Sequence, residues 1–154
     1  MNYICLDTCV FLDISTKKQD LALVSALEEL VETDVVKLVV TDLVAEEYER
    51  NKEDVVNQEQ TLEVLNDINA RLPLLTDANY STINRVEKLI QSAELINISE
   101  RSKVAAVQRG LDKKAPFHIS KNSVADAVII EQFYEFSLDV DATDSCFFIT
   151  HNHN

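Results

Sequence analysis

Apolar residues fall along this chain in two rhythms. Tyr3 to Leu6 is a short apolar run that stops abruptly at Asp7-Thr8, which predicts a buried strand. From Asp20, an N-cap residue by type, Leu21, Val24, Leu27, Leu30 and Val31 recur at helical spacing. Val35 to Val40 is a β-branched run and predicts a second strand. Thr41-Asp42 then opens a helix whose early acids suit the macrodipole, and Val44, Tyr48, Val55, Leu62, Leu65 and Ile68 continue its pattern. Arg71 to Thr76 contains Pro73 and reads as a connection. Ser81 starts a helix through Ile83, Val86, Leu89, Ile90 and Ala93. Ser99 caps a shorter one that ends at Gly110, in the C′ position helices favour. Lys113 to Asn122, with Pro116, reads as loop. Ser123 caps an apolar helix carrying Val124, Ala127, Val128, Ile129, Ile130 and Phe133, so extensive burial is expected there. Cys146 to Ile149 is the last strand, followed by Thr150-His151-Asn152-His153-Asn154.

Short buried strands alternating with helices predict an α/β fold on a parallel sheet. At 154 residues the chain suits one domain, 1–154. A single Gly and two Pro exclude the Gly-rich phosphate loops of Walker-type and Rossmann domains. The net charge of −13 repels nucleic acid and anionic membrane on average. Between 101 and 121, however, Arg101, Lys103, Arg109, Lys113, Lys114 and Lys121 stand against Asp112 alone. Such a stretch would bring a polyanion to a nearby site, although a solvated face is the commoner meaning of a charge run. Three Cys give no disulfide framework, and Cys5 and Cys146, inside apolar runs, read as buried reduced thiols. The first residues lack a basic signal-peptide region and no stretch is apolar enough to span a bilayer. A cytoplasmic chain with no membrane partner is the expectation.

In parallel sheets ligands bind at the carboxyl ends of the strands, which directs attention to Asp7-Thr8, Thr41-Asp42 and Thr150 to Asn152. Alone, Asp7 is as well explained as a turn cap, and Glu46-Glu47 as a pair complementing a helix dipole. Asp126 differs, because it sits inside the most apolar helix of the chain. A carboxylate there is costly unless it is paired, hydrogen-bonded or bound to a cation. Acids from two strand ends and one buried helix can share a cleft, and a divalent cation offsets their repulsion. Oxygen-only ligands suit Mg²⁺ or Mn²⁺ rather than zinc.

These residues resemble a known family. Ile4-Cys5-Leu6-Asp7-Thr8-Cys9-Val10-Phe11-Leu12 looks like the opening strand of PIN domains, an apolar strand followed by Asp-Thr-Asn-Val. Thr41 to Tyr48 looks like their second motif, whose register selects Glu47 over Glu46. Ala125-Asp126-Ala127-Val128-Ile129-Ile130 resembles the third, and Phe147-Phe148-Ile149-Thr150-His151-Asn152 the fourth. Arg109-Gly110, Ala115-Pro116-Phe117 and Lys121-Asn122-Ser123 look like the larger branch with extra helices. Cys9 stands where Asn is usual, and Asn152 where many members carry a fourth acid. The family usually continues past this point with an Asp-Phe pair, a strand and a helix, so the chain reads as truncated or divergent at its C-terminal end.

The resemblance implies a three-layer α/β/α fold with a central parallel sheet. It also implies a metal-dependent nuclease that hydrolyses RNA through a carboxylate-bound Mg²⁺ or Mn²⁺. Asp7, Glu47 and Asp126 would be its catalytic and metal-holding residues, with Thr8, Thr150 and Asn152 in support. Arg109 and Lys121 are phosphate contacts by position alone. A homodimer and a protein inhibitor or partner are compatible with it.

The main rival is a degenerate, non-catalytic PIN-like module that binds a protein partner, in keeping with the acidic surface, Cys9 and Asn152. A phosphoacceptor or phosphatase domain ranks last, since Asp7 opens no Asp-x-Asp, position 9 being Cys, and no lysine follows a late strand as a receiver domain needs. His118, His151 and His153 read as ordinary solvated residues.

Overall fold

The computed structural model describes residues 1–17, 20–52, 54, 76–117 and 123–151. Four strands form one sheet: β1 (Asn2–Leu6), β2 (Val36–Thr41), β3 (Glu94–Ile96) and β4 (Ser145–Ile149). Their spatial order is β3-β2-β1-β4 and every pairing is parallel. Ile4 lies opposite Leu38 on one side and Phe147 on the other. Helices α1 (Thr8–Thr16) and α2 (Leu21–Glu32) connect β1 to β2. The helix at 42–52, α3, and α4 (Thr76–Ser92) lie between β2 and β3. Helices α5 (Glu100–Leu111) and α6 (Val124–Asp139) lead from β3 back to β4.

Parallel crossovers are right-handed. The chain steps one way through β1, β2 and β3, then returns to β4 on the far side of β1. The first helices therefore cover one face and α5 and α6 the other. Packing agrees: α1, α2 and α4 touch one another, whereas α6 packs on α5, β2 and β3. The three-layer α/β/α expectation holds.

The core lies under α1. Phe11, Val24, Val39, Val44 and Val86 are completely buried. Phe11 meets Tyr48 edge-on, with ring centroids 6.1 Å apart. The Tyr48 hydroxyl is 2.8 Å from Ser15 Oγ, which itself donates to the Phe11 carbonyl at 2.6 Å. Two ion pairs join helices on this face. Arg85 of α4 binds Glu28 of α2, with Nε to Oε1 at 2.9 Å, and also reaches Ser25. Lys52 of α3 binds Glu87 of α4. Among the described helices none is long and apolar enough to cross a membrane.

Several expectations need correction. The segment after Asp7, to which the sequence pattern assigns no element, is a helix, α1, although Thr8, Cys9, Val10, Phe11 and Ile14 are poor helix formers. Asp7 caps it, and burial of Val10, Phe11 and Ile14 outweighs local preference. The short strand β3 carries only three residues and has no alternating pattern to announce it. Helix α4 begins at Thr76 rather than Ser81. Cys146 is half-buried because β4 is an edge strand; Cys5 is fully buried, and all three thiols are free. The extended pattern from Val55 to Ile68 and the connection before Thr76 lie outside the described residues.

Gly110 is not a C′ residue. Helix α5 runs past it to Leu111, and Lys113 takes the left-handed position with φ 51°. Lys113 N bonds the Gly110 carbonyl at 3.1 Å and Lys114 N the Arg109 carbonyl at 3.0 Å, which is a Schellman motif. Asp34, with φ 55°, does the same after α2. A chain with one glycine closes both helices on charged residues.

Two outcomes follow from these contacts. A methyl group at Gly110 would sit 3.4 Å from the Phe117 ring, ordinary van der Waals contact. Gly110→Ala should therefore stabilise the fold by about 0.5–1 kcal/mol, and Lys113→Gly by a similar amount through release of left-handed strain. Urea midpoints that rise at constant slope would show it.

The second outcome concerns acid. The hydrogen bond from Arg85 holds the Glu28 carboxyl below its ordinary 4.5. Its contribution is complete above that value and disappears as pH falls through the lower folded-state one. Glu28→Gln should cost about 1 kcal/mol or less at pH 7, and the difference from the unsubstituted chain should close in acid melts.

Candidate active site

Strands β1 and β4 end side by side. Asp7 N donates to the Ile149 carbonyl at 2.9 Å, which places Asp7 next to Thr150. Asp7 is the N-cap of α1, with extended backbone (φ −71°, ψ 157°), and its Oδ1 accepts from Thr8 N at 2.8 Å. Its Oδ2 accepts from Thr150 Oγ1 at 2.7 Å and from Cys9 Sγ at 3.4 Å. Both oxygens are thereby oriented by groups from two different chain segments.

Glu47 arrives from β2. Thr41 caps α3 by accepting Val44 N at 3.2 Å, and this start sets which side of the helix faces α1. Glu47 is half-buried on that side, while Glu46 is exposed. Thr8, only 4% exposed, donates Oγ1 to Glu47 Oε2 at 2.9 Å. One residue thus touches both acids, through its amide to Asp7 and its hydroxyl to Glu47. Glu46 turns instead to an open groove of about 530 Å³ between α3 and α4.

Asp126 lies in the first turn of α6, half-buried, with no hydrogen bond or ion pair to another described residue. Ile129 and Phe133, three and seven residues on, share its helix face. Ile129 joins the core cluster that includes Leu6, and Phe133 meets the Phe148 ring at 5.9 Å. That face therefore points to the end of β1 and to β4. Among the described residues, no group of three or more His, Cys, Asp or Glu side chains is arranged to hold a metal ion. The linked set is Asp7 and Glu47 with Thr8 and Thr150.

Arg109 is engaged elsewhere. Its Nε donates to Glu131 Oε1 at 2.7 Å and its Nη1 to the Ala115 carbonyl at 3.0 Å, which ties α5 to α6 and to the turn after α5. Lys103 pairs with Glu100 and Lys114 with Asp112. Much of the basic stretch is thus offset by neighbouring acids. Lys121, Asn152, His118 and His153 lie outside the described residues.

Sequence reading passed over Asp13 here and gave His151 no role. Cys9 and Asp13, four apart, share one face of α1, and His151 meets both: its N–H reaches Cys9 Sγ at 3.4 Å and its Nδ1 lies 2.7 Å from Asp13 Oδ2. Burial pushes the Cys9 thiol up, with the Asp7 charge adding to it. Burial also pushes Cys5 up, to about 12. At Asp13 burial acts upward, but Lys17 and His151 outweigh it and hold the carboxyl below its usual range. Recognising α1 as a helix would have exposed the Cys9–Asp13 pairing; nothing local marks His151 as their partner. Asp42 is structural: it accepts from Leu43 N, Ile98 N and Gln132 Nε2, and so staples β2, the exit of β3 and α6 together.

The family model described as PIN domain matches residues 4–154. Among solved structures, this chain is similar to VapBC2 from Rickettsia felis, crystallised bound to a DNA fragment from its promoter. The identity is 14%, the TM-score 0.45, and the match covers 97% of this chain and 100% of that one. No curated protein matches.

Thr8→Val keeps the amide on Asp7 and removes the hydroxyl from Glu47. It should cost about 1–2 kcal/mol, read from the urea midpoint, because a charged acceptor loses its donor at a buried contact.

Proposed function

The chain belongs to the PIN domain family, and from that membership we propose that it is a metal-dependent nuclease that hydrolyses RNA phosphodiester bonds. The observation that carries this reading is the Asp7–Thr8–Glu47 link, which holds two acids together at the carboxyl end of the sheet. The donor set fits a hard cation. Glu47 accepts through Oε2, and Asp7 Oδ1, with one protein bond, keeps further acceptor capacity, whereas Oδ2 already takes Thr150 and Cys9. Mg²⁺ is commonly held by one or two carboxylates, waters and substrate phosphate rather than by a closed protein cage. Asp7 and Glu47 would hold Mg²⁺ or Mn²⁺, with Asp126 completing the set from the start of α6.

A bound cation would polarise the phosphoryl oxygen and offset charge on the leaving oxygen. The chain's own part is positioning. Thr8 N and Thr150 Oγ1 fix the Asp7 carboxylate, and Thr8 Oγ1 fixes Glu47. Water oxygen bonds to phosphorus as the P–O3′ bond breaks, leaving a 3′-hydroxyl and a 5′-phosphate. Asn152 and Lys121 keep the supporting and phosphate-contact roles expected from their positions. Arg109, held by Glu131, is left out of this reading.

A non-catalytic module that binds a protein partner draws on the same site, because Cys9 Sγ bonds Asp7 and the linked set has two acids rather than three. Incubation with end-labelled RNA and Mn²⁺ separates the two readings. The unsubstituted chain should cut, and Asp7→Asn and Asp126→Asn should each lose at least about tenfold in rate with unchanged melting. Equal cleavage by all three would mark a contaminant. Neither cleavage nor saturable Mn²⁺ binding by the unsubstituted chain would leave the non-catalytic reading.

A further inference from the structure

Beyond Ile149 the chain leaves the sheet, and side chains of α1 receive it. Cys9, Asp13 and Lys17 recur every four residues and form one stripe along that helix. His151 spans the first two, with its amide on Cys9 Sγ at 3.4 Å and its ring Nδ1 2.7 Å from Asp13 Oδ2. The other Asp13 oxygen, Oδ1, is held by Lys17 Nζ at 2.8 Å. Asp13 is therefore anchored from below while it holds the exit segment from above.

We infer that Asp13 and His151 form a clasp that positions Thr150 on Asp7. Thr150 precedes His151 directly, and its hydroxyl is the donor that reaches Asp7 Oδ2 at 2.7 Å. Thr8 N fixes only Oδ1. The rotation of the carboxylate thus depends on where residue 150 is held, and residue 150 sits between a strand end and the clasp. Cys9 Sγ, 3.7 Å from Thr150 Oγ1, lies beneath the same segment. Asp13 and His151 are positioning residues: neither touches Asp7 or Glu47 in any bond described above. The catalytic consequence rests on the nuclease reading, whereas the clasp itself does not.

Cys9 reports the clasp without reference to activity. His151→Ala, Asp13→Asn and the double variant are treated with iodoacetamide in the full chain, and alkylation of the Cys9 peptide is followed by mass spectrometry. Cys5, fully buried, is the internal control. Each single variant should speed Cys9 alkylation about tenfold, and the double variant no further, since both remove one interaction. Mn²⁺ affinity by calorimetry should fall several-fold in the same variants at an unchanged melting temperature, with partial recovery in His151→Lys, which places a donor opposite Asp13 again.

Unchanged Cys9 alkylation in both single variants, or additive effects in the double variant, would overturn the clasp. Faster alkylation with Mn²⁺ affinity intact would overturn its positioning role. Absence of Mn²⁺ binding and RNA cleavage in the unsubstituted chain would instead overturn the nuclease reading, and the alkylation rates would still decide the clasp.

Discussion

Asp7 ties three chain segments together, directly or through Thr8. It closes the first turn of α1, accepts the hydroxyl of Thr150, and lies one residue from Thr8, whose own hydroxyl reaches Glu47. These partners come from β1, β4 and β2, which are adjacent only because the sheet is parallel with β1 in the middle. Strand order, not chain proximity, brings residues 7, 47 and 150 to one edge. If the helix cap were lost, α1 would shift, and with it Thr8 and the tie to Glu47. The site and the start of α1 are thus one mechanical unit, and Phe11, a turn further on, fixes that unit in the core.

Charge is distributed in a way that serves this arrangement. The chain holds 27 acids against 14 Lys and Arg. Four of the described cations join elements: Arg85 links α4 to α2, Lys52 links α3 to α4, Arg109 links α5 to α6, and Lys37 links β2 to β3. Each such pair removes a positive charge from long-range steering. With a net charge of −13 the average field repels a polyanion, and these pairs leave less positive charge to offset it.

Strands β1, β2 and β4 and most helices were legible because their signals are local, whereas β3 carried none. Val36–Thr41 and Asn2–Leu6 are apolar runs of strand length, and the capped start of α5 at Ser99 carries its own side-chain bonds. Glu47, rather than Glu46, lies on the side of α3 that meets Thr8. Helix α1 was illegible because Thr, Cys, Val, Phe and Ile favour strands, and only tertiary burial makes them helical. The end of α5 misled because glycine is the usual left-handed residue, whereas here Lys113 adopts that conformation and Gly110 leaves room for Phe117. Arg109 misled for a related reason: a cation in a basic run suggests a phosphate, but Glu131 lies 22 residues away in sequence and one helix away in space.

Cys9 shows how a departure from family pattern can be absorbed. PIN domains usually carry Asn there, whose amide is a strong donor. A thiol is a weak one, and its 3.4 Å contact with Asp7 Oδ2 is correspondingly long. Thr150 supplies the shorter bond to the same oxygen, at 2.7 Å. The thiol also accepts from His151 N, and so takes part in seating the segment that brings Thr150 into place. The weaker donor at position 9 is compensated through the chain that crosses over it. Orientation of Asp7 rests on a set of contacts spread over α1 and the exit from β4.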